Sequence, residues 1–344
     1  MHDPSEMPER LRAFLAAQEP EVDEIVVESY EPMTGGYSRV LARAGVRWRR
    51  GGTAEQHTFV LRGDPPADRA LLFSDRAAEW AVLDAVAGHS RVAKGLYFDP
   101  TGDALGTIAI VLEHSRATSL LPYCASGSET AHLPARLAEA AASFHNIPID
   151  QLPASLDRPT SWDGYLDVRI DEWRRTDREH VESLPVLRYV AEWLDAHRPP
   201  PVPLTLIHGD FQSANMLVDD DGMVLLDWEL AQIGDPREDL GYFKAVAQAA
   251  PPDLTDDESF CARYRELTGL DETQVNPLVV TYFMVLGVIG TSRRLFEGGA
   301  AFARGDNTSV GSLFNLNSVT FGQMMWLQAC RQLEAVLPPS ARRH

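Results

Sequence analysis

The chain of 344 residues contains very little lysine: the two lysines are Lys94 and Lys244, and arginine supplies the rest of the 31 basic residues. Acidic residues number 50, so the formal net charge at pH 7 is -19. Nucleic-acid backbones and anionic lipid surfaces are bound by fields of Lys and Arg, which this chain lacks in aggregate. We therefore expect neither a nucleic-acid partner nor a membrane partner.

Cysteine is also scarce, and apolar runs are short. Cys124, Cys261 and Cys330 are odd in number and far apart, which predicts neither a disulfide framework nor a cysteine metal site. The most apolar run, 278–289, is well short of the roughly 20 residues that span a bilayer. The acidic N-terminal segment lacks the pattern of a signal peptide. These absences favour a reducing, cytoplasmic setting, and no pattern indicates an oligomeric state.

The order of strand and helix patterns divides the chain in two. Periodicity up to Glu113 predicts a helix over 7–17, strands over 24–30, 57–62, 95–99 and 107–113, and a helix over 68–87. After Glu113 helical patterns dominate, over 130–144, 162–178, 187–197, 257–267, 278–296 and 318–337. The segment 298–311 is predicted to be a loop. We expect an α+β protein with a strand-rich lobe at 1–113 and a helix-rich lobe at 114–344.

One His, one Asn and several acids surround two apolar strands in the stretch LIHGDFQSANMLVDDDGMVLLDWE, residues 206–229. Asp221-Gly222 between two apolar runs is a strong signal for a two-residue hairpin loop. With that loop, residue 216 pairs with 227, and Asn215 lies diagonally next to Asp227. Asp210 precedes Asn215 by five residues, so its carboxylate can fold back toward the same point. The stretch therefore predicts three converging oxygen ligands.

A carboxylate and an amide suit Mg²⁺, which completes its coordination shell with water and substrate phosphates. A further carboxylate nearby can accept the proton of a hydroxyl that attacks phosphorus. The order Asp210, Asn215, Asp227 has the spacing of the kinase catalytic loop and its later metal-binding Asp. We interpret His208 as a residue that orients this loop by hydrogen bonds, with a metal-ligand role as the alternative.

The motifs HGDFQSAN, LDWELAQIGDP and EDLGYF resemble those of the aminoglycoside phosphotransferase and choline kinase superfamily, especially the branch similar to the kinase domain fused to some acyl-CoA dehydrogenases. The resemblance implies a protein-kinase-like fold with a small antiparallel-sheet N-lobe (1–113) that binds the nucleotide. The larger helical C-lobe (114–344) would hold the catalytic loop, the metal and the acceptor. The resemblance further implies Asp210 as the catalytic base, Asn215 and Asp227 as Mg²⁺ ligands, and ATP as co-substrate.

A kinase also needs a glycine-rich turn above the phosphates and a hinge that meets the adenine. Gly35, Gly36 and Ser38 precede a strand and are interpreted as that turn, although an ordinary turn has the same pattern. Glu113 and His114 follow the apolar run 108–112 and are placed at the hinge by their position.

Kinases use a lysine on a strand as the cation that contacts the phosphates. No lysine precedes Lys94 in this chain, so another residue must supply that cation. Arg62, in the last position of the strand predicted over 57–62, is the expected replacement, and its planar fork suits phosphate oxygens. Glu79 on the following helix is the predicted partner of Arg62. Asp75, one helical turn away, is the alternative.

The acceptor is predicted to be a hydroxyl of a small molecule. Gly209 stands where protein kinases have an arginine, and Trp228-Glu229 stand where they have Phe-Gly. Neither lysine lies in a Walker A context. Candidate acceptor contacts are Glu229, Asp171 and Trp173, although a tryptophan at helical spacing is more often a core residue.

The predicted function is transfer of the γ-phosphate of MgATP to such a hydroxyl. A catalytically silent nucleotide-binding or regulatory protein is the alternative, and the missing lysine motivates it. A metal-dependent hydrolase using His208 and Asp210 lacks further His or Asp residues at ligand spacing. The sequence leaves three acceptor classes open: aminoglycosides, choline-like amines and hydroxyacyl thioesters.

Overall fold

The computed structural model describes residues 6–33, 40–64, 75–179, 186–247, 253–255, 258–287, 304–305, 324 and 326–332. The helices are α1 (Met7–Gln18), α2 (Arg76–Val86), α3 (Leu120–Ala125), α4 (Leu133–His145), α5 (Trp162–Glu179), α6 (Val186–Ala196), α7 (Arg237–Ala247) and α8 (Glu258–Thr268). Residues 277–287 and 326–332 are also helical. The strands are β1 (Val22–Met33), β2 (Val40–Arg50), β3 (Thr53–Gly63), β4 (Gly95–Asp99), β5 (Ala109–Glu113), β6 (Thr118–Ser119), β7 (Thr205–Ile207), β8 (Met216–Asp219), β9 (Gly222–Leu225) and β10 (Gln232–Gly234).

The chain divides into two compact units. The first contains Met1–Thr118, Asp150–Leu156 and Leu217–Ala231, and the second contains Ser119–Ile149, Asp157–Met216 and Gln232–His344. The functional division at 113/114 stays a prediction. No helix in the described residues is long and apolar enough to span a membrane.

The first unit is built on an antiparallel five-stranded sheet in the order β1-β2-β3-β5-β4. Gly51 and Gly52 join β2 to β3, and both have positive φ, 56° and 84°. Such a turn matches the twist of the paired strands and favours glycine at both positions. Alternate residues of β2, from Ala42 to Trp48, point inward, and the apolar side of α1 belongs to the same core. The antiparallel sheet of the expected α+β fold is therefore confirmed.

The core of the second unit is formed by α5, α6 and the helix at 277–287. Its largest buried side chains include Trp173, Trp193, Phe283 and Trp326. In the same unit, β7 and β10 pair antiparallel, with Ile207 opposite Gln232. These two strands and α3 were not predicted, because each is shorter than the sequence pattern that would identify it. The 11-residue helix α7 was not predicted either, although part of it was noted as the motif EDLGYF.

The predicted hairpin is present, but its turn lies one residue earlier than expected. Asp220 and Asp221 form the turn, and Gly222 opens β9 with φ of 136°. The reason is Asp219, whose Oδ1 accepts the N–H of Asp221 at 3.0 Å and closes an Asx-turn at the end of β8. Since β9 ends at Leu225, Asp227 lies beyond the strand, and the predicted pairing of 216 with 227 was wrong.

Gly241 of α7 allows close helix packing, because a Cβ there would collide with the backbone of Phe283 and Met284. We predict that Gly241→Ala lowers the free energy of unfolding by about 1–3 kcal/mol. Gly164→Ala in α5 is the matched control, since Gly164 is exposed and meets a side-chain oxygen alone, at 3.1 Å. The control is expected to be neutral or to stabilise by up to about 1 kcal/mol. Urea unfolding of both variants measures the difference, and equal effects would contradict the packing argument.

Candidate active site

The predicted site residues form a connected group in each compact unit. We call residues 208–215 of the second unit the Asp210 loop. We call Arg62, Asp64, Arg76, Glu79, Asp227 and Glu229 of the first unit the Arg62 cluster.

The start of the Asp210 loop is held by a carboxylate from α7. Asp239 accepts the backbone N–H of His208 on Oδ2 at 2.7 Å and that of Gly209 on Oδ1 at 3.0 Å. Gly209 has φ of 78°, a left-handed conformation that favours glycine. Asp239 is buried, so these bonds replace its hydration. Sequence reasoning missed Asp239, although its motif EDLGYF was noted.

The Asp210 side chain is fixed by two amide groups. Its Oδ1 accepts from Gln212 Nε2 at 2.7 Å, and its Oδ2 accepts from Asn215 Nδ2 at 2.7 Å. The backbone N–H of Asp210 donates to His208 Nδ1 at 3.3 Å, which is the kind of hydrogen bond expected for His208. The loop therefore presents an oriented carboxylate that is only partly buried.

Asn215 lies in a 3₁₀ turn, Ser213–Asn215, immediately before β8. Its amide nitrogen donates to both the carboxylate and the backbone oxygen of Asp210, at 2.7 and 3.0 Å. Because Nδ2 makes both of these bonds, Oδ1 is the side-chain atom of Asn215 that remains available to a cation.

In the first unit, Arg62 contacts three carboxylates. Arg62 Nη1 lies 3.3 Å from Glu79 Oε1, and Arg62 Nη2 lies 3.2 Å from Glu229 Oε2 and also donates to Asp227 Oδ1. The predicted pairing of Arg62 with Glu79 is therefore present. The alternative partner, Asp75, instead caps α2 and accepts the N–H groups of Ala77 and Ala78.

Arg76 is a second buried arginine of the cluster, and sequence reasoning missed it. It donates to Glu79 Oε2 through Nη1 and to Asp64 Oδ1 through Nη2 at 2.7 Å. Its separation from Glu79, three residues on one helix, is the signal that could have identified it. Glu79 is thus shared by two guanidiniums, one on each carboxylate oxygen.

Burial and neighbouring charges act in opposite directions on the pKa values of Arg62 and Glu79. Burial lowers the pKa of Arg62, but the carboxylates of Glu79, Asp227 and Glu229 outweigh it and raise that pKa above its ordinary value. Burial raises the pKa of Glu79, and Arg62 and Arg76 offset only part of this rise. Arg62 is therefore a permanent cation, whereas the charge on Glu79 depends on its two arginines.

Asp227 has a backbone conformation that is uncommon for a residue with a side chain. Its φ of 66° lies in the left-handed region, where Asp and Asn are tolerated better than other residues. It lies just beyond β9, after Leu226, and contacts Arg62 through one carboxylate oxygen, Oδ1.

Asn215 Oδ1 and the Asp227 carboxylate are the donor types that Mg²⁺ prefers in proteins. Within the described residues, no group of three or more His, Cys, Asp or Glu side chains is arranged to hold a metal ion. The donor chemistry fits a cation that takes most of its ligands from water and from a phosphate-bearing substrate.

Other predicted positions have different surroundings. Gly35, Gly36 and Ser38 lie outside the described residues, as does most of the loop predicted over 298–311. The N–H groups of Glu113 and His114 donate to Lys94 O and Thr58 O, at 2.9 and 3.1 Å. Both amides therefore have backbone partners in this conformation, and the hinge role of Glu113 and His114 stays a prediction.

Of the suggested acceptor contacts, Trp173 requires correction. Trp173 is fully buried in the core of the second unit, and its Nε1 donates to Leu286 O at 3.3 Å. Asp171 lies on the exposed side of α5, 3.5 Å from Arg174. The side chain of Glu229 is 5% exposed and is engaged by Arg62. Packing thus makes Trp173 a core residue, whereas the acceptor roles of Asp171 and Glu229 stay predictions.

Removal of Arg62 would leave Glu79 and Glu229 buried without their main counter-charge. We predict that Arg62→Met lowers the free energy of unfolding at pH 8 by about 3–5 kcal/mol. The pKa of Glu79, already raised by burial, would rise further. A carboxyl with a raised folded-state pKa takes up a proton on folding, so part of the loss should be recovered at pH 5.5.

Denaturant unfolding of the wild type and Arg62→Met at both pH values tests this. Arg91→Met is the control, because Arg91 forms an exposed ion pair with Asp219 at 2.7 Å. Such pairs contribute about 0–1 kcal/mol. Equal losses in the two variants, or a loss in Arg62→Met that grows at pH 5.5, would contradict the prediction.

Comparison with known proteins places this geometry in context. Acyl-CoA dehydrogenase family member 11 of Rattus norvegicus is 24% identical over 309 residues, which cover 82% of this chain and 39% of that protein. The chain thus spans about two fifths of the length of this relative.

Two solved structures show the fold. A protein from Ralstonia eutropha assigned as an aminoglycoside phosphotransferase has a TM-score of 0.70 at 20% identity, covering 94% of this chain and 98% of that one. A thermostable mutant of an aminoglycoside phosphotransferase, solved with ADP and hygromycin B, has a TM-score of 0.59 at 15% identity, covering 93% and 98%. The predicted protein-kinase-like fold is confirmed.

The family model whose description is phosphotransferase enzyme family, APH, matches residues 40–274, well over half of the chain. This range includes β2 to α8 and every residue of the Asp210 loop and the Arg62 cluster. The chain therefore belongs to the APH phosphotransferase enzyme family.

Proposed function

We propose that the protein transfers the γ-phosphate of ATP, bound with Mg²⁺, to a hydroxyl group of a small molecule. The observation that carries the proposal is the Asp210 carboxylate, which two side-chain amides orient within a loop clamped by a buried acid. Membership of a phosphotransferase family supports the reaction class, and the relative solved with ADP supports an adenine nucleotide.

Asp210 is proposed as the base that accepts the proton of the acceptor hydroxyl. Phosphoryl transfer proceeds through a loose transition state, so catalysis depends mainly on positioning and charge stabilisation. A carboxylate held by Gln212 and Asn215 loses little entropy when the acceptor binds. Asp210 can thus hold the hydroxyl oxygen toward the phosphorus and receive its proton.

Arg62 is proposed to contact the phosphates of the nucleotide. Its charge is permanent, and Glu79 fixes one side of its guanidinium. Asn215 Oδ1 and the Asp227 carboxylate would hold Mg²⁺, which when bound offsets the negative charge of the phosphates. Asp227 contacts Arg62 in this structure, so nucleotide binding requires Arg62 to exchange a carboxylate for a phosphate oxygen.

The same contact favours a second candidate function, a catalytically silent nucleotide-binding protein. Both Nη atoms of Arg62 are engaged by carboxylates. If Arg62 kept these partners in the nucleotide complex, the phosphates would lack their protein cation. ATP turnover by the wild type separates the two functions, since the silent protein would bind ATP without consuming it.

The chemical class of the acceptor is proposed from the net charge of the chain. A net charge of -19 attracts cationic solutes and repels anionic ones at long range. We therefore rank aminoglycosides and choline-like amines above hydroxyacyl thioesters of coenzyme A, which are anionic. ATP consumption in the presence of each class, at low and at high salt, tests this order.

Asp210→Asn is predicted to bind MgATP normally and to lose turnover by about 10²- to 10⁴-fold, the usual contribution of a general base. The amide is nearly the same size as the carboxylate but cannot accept the proton. Calorimetry measures ATP binding, and a coupled assay measures ADP release. Asp220→Asn at the exposed hairpin turn is the control and should turn over at the wild-type rate. Undiminished turnover in Asp210→Asn would remove the base assignment.

Asp227→Asn is predicted to weaken Mg²⁺-dependent ATP binding by at least about tenfold, or about 1.4 kcal/mol. Asparagine tolerates the left-handed backbone at this position, so the change removes charge without adding backbone strain. Calorimetric titration with and without EDTA gives the metal-dependent part of the affinity. If EDTA weakens ATP binding equally in the wild type and the variant, Asp227 does not hold the metal.

A further inference from the structure

His145 and Tyr264 are buried polar residues that the proposed reaction does not use. His145 is the last residue of α4, and Tyr264 lies on α8. His145 Nε2 lies 3.1 Å from Asp239 Oδ2, and His145 Nδ1 lies 2.7 Å from the Tyr264 hydroxyl. The same Asp239 holds the backbone of the Asp210 loop.

The direction of these hydrogen bonds follows from the chemistry of the partners. A carboxylate accepts only, so His145 Nε2–H donates to Asp239. Burial, together with the nearby carboxylates of Asp235 and Asp239, raises the pKa of Tyr264 well above its ordinary value. The phenol therefore keeps its proton, and its hydroxyl can donate to His145 Nδ1 in the tautomer that carries its hydrogen on Nε2. Tyr264 thus selects the tautomer that can donate to Asp239.

Asp239 receives three N–H donors, from His145, His208 and Gly209. The bonds from His145 and His208 converge on one oxygen, Oδ2. His145 therefore fixes the rotation of the carboxylate that clamps the loop. Loss of this donor would let Asp239 turn away from at least one of its two backbone partners.

The residues on either side of His145 contact the same region. The ring of Phe144 packs against His208 and Phe211, with centroids 6.4 and 5.9 Å apart. Asn146 Nδ2 donates to Leu267 O near the end of α8 at 3.0 Å. Three consecutive residues at the end of α4 thus support the loop and the helix that carries Tyr264.

We propose that His145 is a positioning residue for phosphoryl transfer, which acts through Asp239 on the loop that carries Asp210, with Tyr264 fixing its tautomer. The role in catalysis rests on the proposed function. The hold of His145 on the loop is independent of the proposed function, because it is measured by hydrogen–deuterium exchange at two backbone amides.

Four variants test the proposal. His145→Leu removes the donor to Asp239, and His145→Gln replaces it with an amide N–H. Tyr264→Phe removes the hydroxyl that fixes the tautomer. Tyr282→Phe is the matched control, because it removes another buried hydroxyl of the second unit, which donates to Leu194 O at 3.0 Å.

The first measurement is hydrogen–deuterium exchange at the amides of His208 and Gly209, resolved within the peptide 205–211. Exchange at one or both amides should be faster by about tenfold or more in His145→Leu and Tyr264→Phe, since a tenfold change corresponds to a modest loss of hydrogen-bond stability. Wild-type rates are expected in His145→Gln and Tyr282→Phe. Unchanged exchange in His145→Leu, or equal acceleration in Tyr282→Phe, would overturn the proposal.

The second measurement separates kcat from the KM for ATP. His145→Leu should lower kcat by about 10- to 100-fold, the usual effect of losing a residue that orients a functional group. The KM for ATP should stay within about twofold, because Arg62 and Asp227 are unchanged. His145→Gln should restore most of kcat. A rise in KM without loss of kcat, or a Gln variant as impaired as Leu, would overturn the positioning role.

Failure of the two proposals can be told apart. If the wild type shows no phosphotransfer, the proposed function fails, and the exchange measurement still decides whether His145 holds the loop. If the wild type is active and the exchange rates are unchanged, the role of His145 alone fails.

Discussion

The Asp210 loop depends on one buried carboxylate. Asp239 takes the N–H groups of His208 and Gly209, which would otherwise be buried donors without partners, at a cost of about 1–3 kcal/mol each. Because Gly209 adopts a positive φ, the chain can turn there and direct Asp210 toward Gln212 and Asn215. The orientation of the proposed base is therefore set by a side chain of α7, about 30 residues further along the chain.

The Arg62 cluster explains how the chain manages with two lysines. An ammonium is a compact and strongly hydrated charge, whereas a guanidinium presents five donors in a plane and is less costly to bury. Arg62 uses this geometry to contact Glu79, Asp227 and Glu229 while its side chain remains buried. A lysine would gather all three acids around one nitrogen, whereas Arg62 divides them between Nη1 and Nη2. The arginine is thus suited to this setting, and its presence does not by itself indicate a lost function.

Local patterns predicted most of the longer elements and some of the contacts. The sequence placed Arg62 at a strand end and Glu79 on the next helix, and these two residues do pair. Asp75 could have been excluded, because an acid directly before a helix is an N-cap. The hairpin turn was misplaced because Asp219 closes an Asx-turn that the Asp-Gly signal did not reveal.

Contacts between distant segments could not be predicted in the same way. His145 and Asp239 are 94 positions apart, and only the tertiary fold, in which α4 packs against α8, brings them together. The position of Trp173 on its helix is compatible with a core residue or with an exposed one. The packing of α5 places it in the core. Roles that depend on burial follow from tertiary structure, whereas roles that depend on spacing follow from sequence.

Charge and exposure together distinguish the acids of the Arg62 cluster. Four carboxylates face two guanidiniums, so the cluster has a formal charge of about -2, and a triphosphate would be repelled unless a cation compensated it. Of the three acids that contact Arg62, Glu79 and Glu229 are buried, whereas the Asp227 side chain is 26% exposed. A ligand can therefore reach Asp227 without unfolding the cluster. Glu79 and Glu229 hold the arginine in place, and Asp227 is the acid whose partner can change.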